Sequence, residues 1–251
     1  PKKNIVNALA LNAVVGNGTR LAFPPIGGLI IAIYGAGPAL IFGAGLYALS
    51  SVAFLAVTPS KIRQQISQRM SLLKQFFEGI HYVRHQPVVL GLILMNVLMP
   101  LVYLPAVNRM LPVYASNVFE IGPTGLGMLM AAIGAGCTVG ATVLASIKMI
   151  SQRGKTVVVT IMLSSAIMLG ISLVDDLMFA TTLLVLVSAI STIYWSLSEA
   201  IILEVTPDDI RGRVVSLWGI GMGLFPLGSM TFGTIAELLG PQSATFTAGL
   251  V

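Results

Sequence analysis

Seven stretches of mainly apolar residues follow one another along this 251-residue chain, and an eighth begins before its last residue. They cover roughly residues 7–34, 38–58, 87–111, 124–147, 156–174, 177–205, 213–239 and 242 onward. A helix needs about 20 such residues to cross a hydrocarbon core of about 30 Å. Turn-forming residues separate the stretches: Gly35-Ala36-Gly37-Pro38, Pro59, Gly122-Pro123, Asp175-Asp176, Pro207 and Gly240-Pro241. Buried helices of a large soluble protein would carry polar faces, and these have almost none. Charged residues are only 9% of the chain, against about 25% in an ordinary soluble domain. So little charge cannot wet the exterior of a globule, and lipid must cover it instead. The expected class is all-α and polytopic in a membrane.

The distribution of lysine and arginine predicts which ends face the cytoplasm. Of the 14, Lys2, Lys3, Lys61, Arg63, Arg69, Lys74, Arg84, Lys148, Arg153, Lys155, Arg211 and Arg213 lie in alternate connections. These connections are 1–3, 61–85, 148–155 and 207–213, and they are expected to be cytoplasmic. The intervening connections at 35–37, 109–123, 175–176 and 240 hold only Arg109. The net charge of +5 therefore reads as a topology signal and not as a nucleic-acid surface. Residues 61–85 form the only long polar stretch. Ile62, Ile66, Met70, Leu73, Phe77 and Ile80 recur there at helical spacing, which predicts an amphipathic helix on the cytoplasmic membrane face.

An internal repeat is visible in three matches. Pro1 and Asn7 correspond to Pro207 and Arg213, Pro25-Ile26-Gly27 to Pro226-Leu227-Gly228, and Gly37-Pro38 to Gly240-Pro241. The offsets agree closely, as expected when a transporter is built from two parallel helix bundles. Six helices separate the copies. The expected organisation is then the last two helices of a first six-helix bundle in 1–60, a cytoplasmic linker in 61–86 and a second bundle in 87–251. The chain starts without methionine and stops inside an apolar stretch. It reads as a piece of a twelve-helix protein, holding about eight of the twelve, with four helices expected upstream.

The same segments resemble the major facilitator superfamily, specifically its bacterial siderophore and macrolide exporters. Asn7-Ala8-Leu9-Ala10-Leu11-Asn12 and Arg20-Leu21-Ala22-Phe23-Pro24-Pro25-Ile26-Gly27-Gly28 are similar to that branch's fifth helix. Phe77-Glu78-Gly79-Ile80-His81-Tyr82-Val83-Arg84 resembles the end of its central loop. Leu111-Pro112-Val113-Tyr114-Ala115 with Gly122-Pro123-Thr124-Gly125-Leu126-Gly127 resembles its seventh-to-eighth helix junction. Thr206-Pro207-Asp208-Asp209-Ile210-Arg211-Gly212-Arg213-Val214 resembles the loop before helix eleven. The resemblance implies proton-coupled export of a small amphipathic organic molecule (siderophore, macrolide or drug-like) across the bacterial inner membrane, by alternating access; the alternative readings are an importer on the same scaffold and a non-transporting membrane sensor or assembly protein. It also marks Pro24, Gly27 and Gly28 as a helix-packing motif and Pro207, Asp208, Arg211, Gly212 and Arg213 as a loop motif. Two departures stand out. Phe23 occupies a position where the superfamily's fifth-helix motif carries glycine, and the loop 148–155 keeps Arg153-Gly154-Lys155 without the acidic residue of the gating motif.

Among residues that could carry transport, Arg20 is the sharpest. It lies 13 residues past Asn7, ~20 Å along a helix, and Asn12, Asn17 and Thr19 precede it. A mid-membrane arginine costs at least ~2.5–3.5 kcal/mol, so it is expected to face a water-filled cavity or an acidic partner. The competing reading starts the helix nearer Thr19 and makes Arg20 an interfacial anchor. Two readings are open for Glu199, about two turns inside its segment: proton coupling, or an ion pair that holds helices together. Asn108 and Arg109 suggest either an exit-side substrate contact or a snorkelling anchor. Asn96 is a further polar candidate within a span. Tyr103, Tyr194 and Trp195 are either stacking partners for a flat substrate or packing residues. Gly134, Gly136, Gly140, Gly219 and Gly223 predict close-packed helix faces.

Enzyme chemistry finds no footing, with neither an H-E-x-x-H nor a G-x-S-x-G motif and no clustered Cys and His for a metal. Gly43-x-Gly45-x-x-Ala48 follows no strand and is set aside as a nucleotide motif. His81 and His85 share a helix face but make a poor two-ligand site. Cys137 has no partner for a disulfide. No cofactor is expected, and the expected partners are a small-molecule substrate, protons and the bilayer.

Overall fold

The computed structural model describes residue 19 and residues 22–55, 72–147 and 152–251. The described residues are helical with no strand, and the connections among them are short. We number the helices α1 (Ala22–Tyr34), α2 (Ala36–Leu55), α3 (Leu72–His85), α4 (Pro87–Val118), α5 (Gly122–Ser146), α6 (Arg153–Ser172), α7 (Leu177–Val205), α8 (Asp208–Leu239) and α9 (Pro241–Leu250). Six of these, α2 and α4 to α8, are long and apolar enough to cross a membrane. This is an all-α polytopic membrane protein.

Turn chemistry sets the boundaries. Gly35, Gly122 and Gly240 adopt φ of 84°, 62° and 88°, a left-handed conformation that costs glycine nothing and lets one residue end a helix. The 35–37 connection is thereby reduced to Gly35 alone. Asp176 caps α7, its Oδ1 accepting the Phe179 N–H at 2.8 Å, which satisfies one of the orphan donors of the first turn.

The largest departure from the sequence reading is in α4. The apolar pattern ends this helix, which also contains Pro100, Pro105 and Pro112, near residue 111 and leaves 109–123 as a connection. It instead runs unbroken to Val118, with π-helical turns at Met99–Tyr103, Pro105–Arg109 and Tyr114–Val118. A proline inside an α-helix lacks a donor and clashes with the carbonyl four residues back. Widening the turn moves the bond to the next carbonyl, as where Leu104 N–H donates to Met99 O. The loop shrinks to Phe119–Ile121, and Arg109 becomes a helix-interior residue.

Helices α4 to α9 pack together around two apolar clusters stacked along the bundle. One, around Val107, Leu111, Leu129, Val187 and Phe232, lies towards the α4–α5 turn. The other, around Val89, Val157, Tyr194, Ile202 and Val214, lies at the end that carries the basic connections, hereafter the basic end. α5 and α7 approach most closely. A Cβ added at Gly136 would stand 2.3 Å from the Val185 carbonyl oxygen, and one at Gly140 only 2.2 Å from that of Ala189. Small residues four apart thus let two backbones touch, which is how helices associate where hydrophobic burial supplies little drive. Gly134 is also buried. Gly219 and Gly223, expected to do the same, have nothing within 4 Å of an added Cβ; they lie on the open side of α8.

The segments before and after the linker meet at one glycine pair. A Cβ on Gly28 would fall 2.6 Å from Pro123 O and 3.2 Å from Gly127 Cα, and one on Gly127 would fall 2.7 Å from Pro24 O. α1 and α5 therefore cross backbone to backbone at Pro24, Gly28 and Gly127. At Gly27, the other glycine of the expected packing motif, an added Cβ would have nothing within 4 Å among the described residues. Phe23 does not obstruct the crossing, because it stays exposed one residue outside it.

α3 does not lie free on a membrane surface. Gly79 lets it seat on α8, where an added Cβ would meet Leu217 Cδ1 at 3.2 Å and Arg213 Cβ at 3.4 Å. Glu78 pairs with Arg213 at 2.5 Å, Tyr82 Oη donates to Val205 O at 3.2 Å, and Val83 is buried. Phe76 and Phe77 stay exposed. Ile62, Ile66 and Met70 lie outside the described residues.

Candidate functional site

Polar side chains inside membrane-spanning helices must be paired or face water, and the structure sorts the sequence candidates by that rule. Asn12, Asn17 and Arg20 lie outside the described residues. Tyr194 is fully buried, its ring edge-on to Trp195, so it is out of reach of any bound substrate in this conformation. Asn96 is also buried, and its Nδ2 donates to the Trp218 carbonyl of α8 at 2.7 Å. That places Asn96 in a helix–helix contact and not on an open face. Tyr103 is tied to α7 through Ser191, and Trp195 packs edge-on against Trp218.

Glu199, Asn108 and Arg109 remain exposed within spans. Ser196 and Thr192 are one and two turns before Glu199, so the three share a stripe along α7; Thr192 is half-buried and Ser196 exposed. The stripe is bounded on one side by Ala189, which is pressed on Gly140 of α5, and on the other by Trp195 against Trp218 of α8. It therefore lies on the exposed face of α7 between its contacts with α5 and α8. Sequence reading had not singled out Thr192 or Ser196, because hydroxyl residues are common in membrane helices and only the neighbours of α7 reveal which face they occupy.

Arg109 stands on α4, beside α8. Its guanidinium lies 5.0 Å from the centre of the Phe225 ring of α8, an arrangement that attracts a cation to the ring face. Asn108 beside it donates to Leu104 O at 3.2 Å. Arg109 is nine residues before Val118, ~14 Å from the end of α4, while Glu199 is six residues before Val205, ~9 Å from the end of α7. The two charges are of opposite sign and lie towards opposite ends of the bundle, with the carboxylate nearer the basic end.

At the basic end, the loop motif forms the first turns of α8. Pro207 precedes the helix, and Asp208 and Asp209 sit in its first turn, where negative charge complements the helix dipole. Arg211 pairs with Asp208 at 2.6 Å and donates to Thr206 O at 3.2 Å. A Cβ added at Gly212 would have nothing within 4 Å among the described residues, and Arg213 holds α3 through Glu78. Glu204, at the end of α7, pairs with Arg153 at 2.5 Å. This pair lines an open groove of about 590 Å³ with Pro87, Gly91, Val157 and Ile201. Its partners are 51 residues apart, too far for a linear motif to reveal. His81 and His85 are exposed, with ring centres 4.4 Å apart. Among the described residues, no group of three or more His, Cys, Asp or Glu is arranged to hold a metal ion.

An all-α bundle of long apolar helices packed on glycine faces defines a polytopic membrane protein. The chain belongs to the transmembrane secretion effector family of the major facilitator superfamily, matching it over residues 1–251. It is 27% identical over 233 residues to the multidrug efflux pump Tap of Mycolicibacterium fortuitum, an alignment covering 90% of this chain. The aligned region is 55% of that relative, so the chain spans about half the length of the curated protein it matches.

Proposed function

We propose that this chain forms part of a secondary active transporter that exports a small amphipathic organic molecule in exchange for protons, by alternating access. The stripe Thr192–Ser196–Glu199 carries the reading. An exposed carboxylate within a span is costly in lipid, at ~2.5–3.5 kcal/mol for a charge at the helix centre, so the face between α5 and α8 is a water-filled path. The efflux activity named for the Mycolicibacterium relative supports outward transport. The membrane is the bacterial cytoplasmic membrane, with the basic connections in the cytoplasm. Substrate, protons and lipid are the partners; the charge distribution offers no nucleic-acid surface, and the chemistry is transport without a cofactor.

In this reading Glu199 is the proton-exchanging group, and Arg109 with Phe225 forms a cationic and aromatic contact on the way out. Glu199→Gln in the whole protein is expected to lower pH-gradient-driven export at least tenfold, while exchange of labelled for unlabelled substrate without a gradient persists. Inverted vesicles measure both. Undiminished gradient-driven export in Glu199→Gln would remove Glu199 from coupling. Sidedness is tested by reporter fusions. Those after Glu120 and Asp176 are expected on the outer side and those after Gln152 and Asp209 in the cytoplasm, and two inverted reporters overturn the topology.

A further inference from the structure

α8 is divided at one point, and its halves are fastened to different neighbours. Its α-helical turns end at Ile220, a tighter 3-10 turn spans Gly221–Leu224, and the α-helix resumes at Phe225. A 3-10 stretch in mid-helix shifts bonds from i→i+4 to i→i+3 and often marks a hinge. Ending the α ladder at Ile220 takes the Trp218 carbonyl out of the i→i+4 series, and Asn96 Nδ2 supplies its donor at 2.7 Å. Gly221 makes room for this, since an added Cβ would lie 3.0 Å from Nδ2 and 3.1 Å from Asn96 O.

Below the turn, α8 is bound to α3 through Arg213, Glu78 and Gly79. Above it, Gly228 presses on the Pro100 and Leu101 carbonyls of α4, which an added Cβ would approach to 2.7 and 2.3 Å. The turn itself has open sides, with nothing within 4 Å of a Cβ placed on Gly219 or Gly223. Asn96 Oδ1 is buried and has no hydrogen-bond partner among the described residues. A buried acceptor left unpaired costs about 1–3 kcal/mol, which makes this conformation only one of the arrangements suited to the side chain.

We propose that Gly221–Leu224 is the bending point of α8 and that Asn96 is the positioning residue that sets its two angles. In the conformation seen here, Nδ2 holds the Trp218 carbonyl. In the other, the lower half of α8 moves with α3, the turn re-registers, and Oδ1 accepts an N–H that the 3-10 turn releases. The amide suits this role because it offers a donor and an acceptor from one buried side chain. The proposal rests on the transporter reading for its purpose, but its structural test needs no substrate.

In the whole protein with Cys137→Ser as background, Gly219→Cys and Gly223→Cys are each labelled with a membrane-impermeant maleimide, with Asn96 intact and with Asn96→Ala. Both labelled positions are open, so the thiols do not displace packing. Asn96→Ala is expected to change the ratio of the two labelling rates at least fivefold. Asn96→Gln, which keeps donor and acceptor, is expected to restore part of that ratio. In transport assays Asn96→Ala should lower maximal rate tenfold with KM within twofold. If Asn96 only packs two helices, Asn96→Ala lowers the amount of folded protein but leaves the labelling ratio unchanged, and that result overturns the hinge. A changed ratio in a protein that moves no substrate retains the hinge and rejects the transporter reading instead.

Discussion

Replacing Gly140 by alanine is expected to cut the amount of folded protein several-fold, although the change adds a single methyl group. The added Cβ would stand 2.2 Å from the Ala189 oxygen and 2.9 Å from its Cα. Both are backbone atoms, so no side-chain rotation relieves the clash. α5 and α7 would have to separate by about an ångström, and Gly136, four residues along, would lose its contact with Val185 in the same movement. Overpacking of this kind typically costs about 1–3 kcal/mol, and a rigid helix pair belongs at the upper end. The intrinsic helix preference of alanine over glycine, roughly 0.5–1 kcal/mol, works in the opposite direction and is too small to compensate. Gly43→Ala is the control, since an added Cβ there meets nothing within 4 Å; its yield should hold or rise. The measurement is monodisperse protein recovered after mild detergent extraction. Equal yields from Gly140→Ala and Gly43→Ala would show that the α5–α7 crossing tolerates separation.

Arg20→Ala in the whole protein is expected to abolish transport while membrane insertion stays near normal. The argument comes from the sequence, because the position lies outside the described residues. Removing a charge from within a span eases insertion, so lost activity with retained insertion separates a transport role from a folding role. Arg20→Lys should recover only part of the rate, because lysine keeps the charge but loses the planar five-donor fork. A water-soluble thiol reagent should modify Arg20→Cys, and substrate should slow the reaction. Normal transport by Arg20→Ala, together with an unreactive Arg20→Cys, would make Arg20 an interfacial anchor and move the site to Glu199 and the α7 stripe.

Among the described residues, the order of the helices and most boundaries were legible because each depends on local chemistry. Apolar length marks a span, and a glycine with positive φ ends a helix wherever it stands in the fold. α4 escaped that logic. Three prolines are local stop signals, but tertiary packing held the chain helical through them by widening its turns. The site candidates divide in the same way. The sequence marks Asn96, Tyr194, Asn108, Arg109 and Glu199 as polar or amphipathic residues within or near spans, and composition alone cannot say which face each occupies. In the fold Asn96 and Tyr194 turn inward, while Asn108, Arg109 and Glu199 stay open.

The sequence by itself determined that this chain lives in a bilayer as a series of helices, since backbone groups have no other partners there, and it identified the family. Only the tertiary structure decided which small residues are contacts: Gly28, Gly127, Gly136, Gly140, Gly221 and Gly228 touch neighbouring helices, while Gly27, Gly219 and Gly223 do not. It also decided that Glu204 answers Arg153, that Glu78 answers Arg213, and that Asn96 holds a carbonyl on a helix more than a hundred residues away. Helix formation in lipid depends on neighbours in the chain. Helix pairing depends on which atoms meet across a gap of a few ångströms, and that is fixed only when all the helices are in place.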